Sequence, residues 1–142
     1  MSPQPPSVQR SFRLSASTSE LVDQLVEASG ESRTSVVERL LAEAVRTERH
    51  PLVRFRAGAA GRREPGLVGT RLLVRQVIGT VRASEGMIDE AAEYLGITES
   101  EVQATVAYYA EFAHEVDADQ ECADRLAANE RARWEREQAA LA

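Results

Sequence analysis

Lysine is absent from this chain, and all 17 of its basic residues are arginine. We read that as the bias of a GC-rich genome, with no bearing on mechanism. A single cysteine, Cys122, excludes an internal disulfide and fits a reducing compartment. Aromatic residues are scarce, with three Phe, three Tyr and one Trp, so any core must be aliphatic and alanine-rich. No run of about eighteen apolar residues is available to cross a bilayer, and the opening Met-Ser-Pro-Gln-Pro-Pro lacks the apolar stretch of a secretion signal. The expectation is a cytoplasmic protein without a membrane partner. His50 and His114 are the only histidines, and His114-Glu115 has no second histidine four positions on, as a zinc-binding helix requires. The many carboxylates follow no acid–base spacing and read as solvated helix faces. Together these absences point away from an enzyme, a metal site and a cofactor.

What is present suits two small modules. A chain of 142 residues that is 43% hydrophobic can bury a modest core in each. The net charge of −6 is divided unevenly. Up to Arg63, ten Arg face seven acids, a balance of +3 that leaves −9 for the remainder. A basic head and an acidic rear fit a protein that holds nucleic acid at one end and a protein at the other. The plainer alternative is that the acids only solubilise exposed helices.

After a disordered N-terminus over residues 1–7, the first module is expected over 8–47. Residues 9 to 15, Gln-Arg-Ser-Phe-Arg-Leu-Ser, read as one short strand. Alternation puts Phe12 and Leu14 on one face and Gln9, Ser11 and Arg13 on the other. A lone strand must find a second copy of itself to satisfy its backbone, which makes the expected protein a homodimer. Ser17 with Glu20 reads as a capping box, followed by the apolar stripe Leu21, Val22, Leu25 and Val26 up to a stop at Gly30. Ser32 or Ser35 caps a second helix with the stripe Val36, Val37, Leu40, Leu41, Ala44 and Val45. The start of that helix suits a phosphate, with Ser32, Arg33 and Thr34 nearest to it.

Three features within residues 9–46 resemble the ribbon-helix-helix domains of the CopG and Arc type: Phe12-Arg-Leu-Ser15, the turn from Asp23 to Gly30, and Ser32-Arg-Thr-Ser35. The resemblance implies a two-stranded ribbon in the DNA major groove, with Gln9, Ser11 and Arg13 facing the bases. Arg10 departs from the pattern, since the family usually places an aliphatic residue there. Either the strand frays at this point or Arg10 reaches a phosphate. The plainer reading is a strand that only holds a dimer together.

Residues 48–66 read as a linker that partly docks. Pro51, Gly58, Gly61, Pro65 and Gly66 interrupt helix, while Leu52, Val53 and Phe55 suit a short extended element. Gly58 and Gly61 beside Arg62 and Arg63 lack the ending and spacing of a nucleotide-binding phosphate loop. From 67 to 115 a trihelical module is expected. Its stripes are Val74, Val77, Ile78 and Val81, then Ile88, Ala91, Ala92 and Leu95 up to Gly96, then Val102, Val106, Tyr109 and Ala110 behind a Thr98–Glu101 capping box. Residues 91–102 have helix-turn-helix spacing, but Glu99 and Glu101 would face phosphates, so the unit reads as structural.

The run from His50 to Arg63, the run Gly69-Thr-Arg-Leu-Leu-Val-Arg-Gln-Val-Ile78 and the run from Thr98 to Ala110 resemble a bacterial antitoxin domain of the VapB-related kind, over roughly residues 50 to 125. That resemblance implies a cognate toxin, a PIN-like ribonuclease. Residues 116–142 are expected as a C-terminal toxin-binding helix anchored by Leu126 and Trp134, with Cys122 and Leu141 as lesser apolar points. The toxin's metal-binding carboxylates would pair with one arginine among Arg125, Arg131, Arg133 and Arg136. The alternative is a tail folded back on the helical module or its dimer mate. The full expectation is a mainly α antitoxin that binds operator DNA as a dimer, represses its own operon and neutralises the toxin. A stand-alone ribbon-helix-helix regulator, whose helical module binds a ligand or only oligomerises, is the alternative.

Overall fold

Ser15 begins the regular structure. Its backbone is extended (φ −62°, ψ 153°), and its side chain accepts the Thr18 N–H at 3.2 Å, which caps α1 over Ala16–Ser29. The expected capping box at Ser17 and Glu20 is therefore two residues too late: Ser17 already lies within the first turn. The computed structural model describes residues 6–142, so residues 1–5 of the expected disordered N-terminus lie outside the described residues. Gly30 ends α1 at φ 70°, a left-handed conformation that glycine adopts without steric cost, and donates its N–H to the Val26 carbonyl. α2 then runs over Arg33–Arg49. Of the two serines that could cap it, Ser32 takes the role, accepting the Ser35 N–H at 3.1 Å.

The chain is mainly helical, with one small two-stranded antiparallel sheet. It divides into two units, the first ending at Ala42 and the second beginning at Glu43, with the division inside α2. In the first unit only Val36 is fully buried among the described apolar residues. Residues 6–15 form neither helix nor strand. The strand expected over 9–15 is thus not formed within one chain.

The second unit turns the expected linker into a hairpin, in which Val53 and Phe55 of the expected extended element lie in the first strand. Residues 53–57 form β1 (Val53–Ala57) and residues 63–67 form β2 (Arg63–Leu67), paired with Val53 opposite Leu67 and Phe55 opposite Pro65. Glycine and proline suggested breakers, but here they build a hairpin. In a two-stranded sheet both strands are edges, so Pro65 withdraws no donor that a third strand would need. A Cβ at Gly58 would lie 1.6 Å from the Glu64 carboxylate, so a larger residue there would have to displace that buried side chain. Val53 and Leu67 are fully buried, which makes the hairpin part of the core.

Three helices complete this unit: α3 (Val74–Ala83), α4 (Ile88–Leu95) and α5 (Glu99–Leu141). Val77, Ala91, Ala92 and Val102 form one core cluster, and Val53, Val74, Ile78, Tyr108 and Val116 form the other. Gly96 closes α4 at φ 69°, and Thr98 and Glu101 make the expected reciprocal capping box. On α5 the buried face passes through Val102, Thr105, Tyr108 and Val116, so Tyr108 takes the place in the core that Tyr109 was expected to hold. The expected separate helix over 116–142 is instead the continuation of α5, kinked at Phe112 (φ −123°, ψ 35°). Val116 and Asp119 are buried parts of the module. No described helix is long and apolar enough to cross a membrane.

Two acid–base pairs tie the hairpin to the helices. Arg75 Nε lies 2.7 Å from buried Glu64, whose other oxygen accepts the Ala59 N–H at 2.9 Å. Arg62 Nε lies 2.7 Å from Asp119. Burial pushes the Asp119 carboxyl above its usual range, and the Arg62 hydrogen bond opposes that shift without cancelling it. A carboxyl raised on folding is most favourable to the fold when protonated, and that contribution is lost as the pH rises through its folded pKa. Asp119→Asn should therefore leave stability at pH 7 equal to or above that of the parent. Arg62→Ala leaves a buried carboxylate without its partner and should cost about 1–3 kcal/mol at pH 7, with the deficit shrinking as the pH falls. Urea unfolding at pH 7 and pH 4 measures both effects.

Candidate functional site

The first unit carries a continuous apolar surface. Phe12 is 77% exposed and Leu21 65%, and Val8, Leu14, Leu25 and Leu41 are exposed as well. Phe12, Leu14, Val22, Val37, Leu40 and Leu41 line an open groove of about 580 Å³, bordered also by Arg13 and Thr18. The stripes that α1 and α2 should bury are therefore only half covered within one chain. Exposed apolar surface of this kind is characteristic of interaction sites and ligand grooves.

Around it stand the polar residues singled out from the sequence. Gln9, Arg10, Ser11 and Arg13 are all exposed on the segment before α1. Ser32, Arg33 and Thr34 cluster at the start of α2, where the helix dipole favours an anion. The Ser32 hydroxyl caps the helix there and also donates to Ser35 Oγ. Arg33 Nη2 is bound to Asp23 Oδ1 of α1, and Arg39 Nη2 lies 3.3 Å from Glu31. The acids were not foreseen as partners, because Asp23 and Arg33 become neighbours only when Gly30 reverses the chain.

On the second unit the outstanding feature is the length of α5, whose 43 residues extend roughly 65 Å. Past Asp119 none of its residues is buried. Trp134 is 60% exposed, Leu141 is exposed and Leu126 is half-buried. Helical phase puts these three along one stripe. Arg131 lies one turn before Trp134 and Arg133 near the phase of Leu126, while Arg125 and Arg136 lie on the side of the helix away from Trp134. Arg133 is paired with Glu137 at 3.0 Å.

At the kink, His50 is wedged against α5. Its ring meets Tyr108 and Phe112 edge-on at centroid distances of 5.1 and 5.9 Å, and Nε2 lies 2.8 Å from Glu111. Arg46 stacks on Phe112, 4.7 Å from the ring centre, and pairs with Glu115. The Tyr108 hydroxyl, buried beside them, has no hydrogen-bond partner among the described residues. Among the described residues, no three His, Cys, Asp or Glu side chains are grouped as metal ligands. No protein-family model, curated protein or solved structure matches the chain.

Proposed function

We propose that this chain is a ribbon-helix-helix antitoxin, which pairs with a second copy through its first unit, reads operator DNA with the paired segments and neutralises a toxin with the free part of α5. The observation that carries the reading is the uncovered apolar groove of the first unit, next to a segment with alternating apolar and polar residues and no strand partner of its own. A second copy would cover the groove and pair the segment at once. Phe12 and Leu14 would then face inward, and Gln9, Ser11 and Arg13 outward to base edges. Arg10, Ser32, Arg33 and Thr34 would hold the flanking phosphates.

The toxin half of the reading is supported by the exposed end of α5. Leu126 and Trp134 offer an apolar anchor with Arg131 and Arg133 beside it and Arg125 and Arg136 further round the helix, and a PIN-like ribonuclease presents carboxylates that one of these four arginines would meet. The decisive experiment is expression of the neighbouring reading frame with and without this chain. Growth arrest by the neighbour alone, relieved by this chain and accompanied by co-purification, is the expected result. A harmless neighbour, or arrest that this chain does not relieve, would favour the stand-alone regulator.

For DNA, Arg13→Ala should weaken binding to the chain's own promoter by about 1–3 kcal/mol while leaving the dimer intact. Gel shift together with light scattering measures both. Unchanged promoter binding would remove Arg13 from the reading face.

A further inference from the structure

The cation best placed to meet a phosphate is already occupied. Arg33 is the first residue of α2, at the positive end of the helix, and its guanidinium is bound to the carboxylate of Asp23 on α1. The side chains of both residues are more than half exposed, at 66% and 54%. Exposed ion pairs are weak, so an incoming phosphate can displace Asp23. While the pair stands, however, the local charge is zero, and a phosphate approaching Arg33 also approaches an anion. We propose that Asp23 is a built-in brake on DNA binding, a competitor that must release Arg33 before the phosphate contact forms. This rests on the reading of the first unit as a DNA reader.

The consequence is an affinity held below what the arginines could deliver, with the weakening acting through Arg33. It should act alike on all sequences, because a phosphate contact carries no sequence information. It should also make the salt dependence shallower, since a cation neutralised by its own chain releases fewer DNA counterions.

The test uses the full-length dimer in four forms: parent, Asp23→Asn, Arg33→Ala and the double variant. Each is titrated against the promoter duplex and a random duplex of equal length over a salt series. Asp23→Asn should tighten binding to both duplexes roughly three- to tenfold at low salt and steepen the salt slope by about one phosphate contact. Arg33→Ala should weaken binding, and adding Asp23→Asn to it should bring no gain. If Asp23→Asn has no effect, or tightens binding equally in the Arg33→Ala background, Asp23 is no brake on Arg33 and acts at most as one more distant negative charge. If the parent dimer binds neither duplex at low salt, the DNA reading itself fails, and the proposal fails with it.

Discussion

Placing an aspartate at Phe12 or Leu41 should convert the protein to monomers and lower its affinity for promoter DNA by roughly a hundredfold or more. Both side chains line the open groove of the first unit, and both stand largely in water in the single chain. Burying each against a second copy contributes about 1.5–3 kcal/mol, and symmetry doubles the contribution. A carboxylate in that place would have to shed its water in a lining that is apolar apart from Arg13 and Thr18. In the proposed function DNA affinity falls with the dimer, because the reading surface would be made of one segment from each copy. The helices themselves should survive, since neither residue is buried within one chain, so the circular dichroism spectrum should stay helical. Light scattering that reports an unchanged dimer for Phe12→Asp would mean that the groove faces something other than a second copy.

The second large effect concerns α5. A chain ending at His114 would remove Val116, which is fully buried in the core, and Asp119, which holds Arg62. Such a truncation should destabilise the second unit by several kcal/mol and report on folding, not on toxin binding. The informative cut lies after Asp124. A chain of residues 1–124 keeps every buried residue of α5 and loses Leu126, Trp134 and all four tail arginines. It should dimerise, bind promoter DNA as the parent does and unfold at nearly the parent's urea midpoint. It should also fail to rescue cells from the toxin, a complete loss of protection. Trp134→Ala in the full chain should give a partial loss of the same kind, because a large exposed aromatic is the sort of residue that dominates an interface. Full rescue by both would move the neutralising surface to the helical module.

Much of the local structure was legible because it is enforced locally. Gly30 and Gly96 end their helices by adopting a backbone conformation that other residues avoid, and Thr98 with Glu101 closes a cap over three residues. The apolar stripes of α3 and α4 appear at their expected positions for the same reason. The hairpin was not legible, because Pro65 and Gly66 lie inside β2 and only the two-stranded nature of the sheet makes that tolerable. Glu64 was invisible as a core residue, since nothing local says that Arg75 and the Ala59 N–H will receive it. The continuity of α5 was hidden for a different reason. Its composition changes sharply around residue 116, while no glycine or proline stops the helix, and its only interruption, at Phe112, leaves no signature in the residue types. At the candidate DNA surface, Gln9, Ser11 and Arg13 were named from alternation and Ser32 from capping, and all four are exposed. The Asp23–Arg33 pair was not, because it forms across a chain reversal.

In the proposed function, two copies of this chain form one DNA-reading unit. Sedimentation of the full-length protein, alone and with a duplex from its own promoter, tests it most directly. The predicted result is a particle of twice the 15.6 kDa chain mass in the absence of DNA, and a complex that takes up chains in pairs on the promoter at low salt. A species that stays at the mass of one chain at micromolar concentration and leaves the promoter duplex unbound would contradict it.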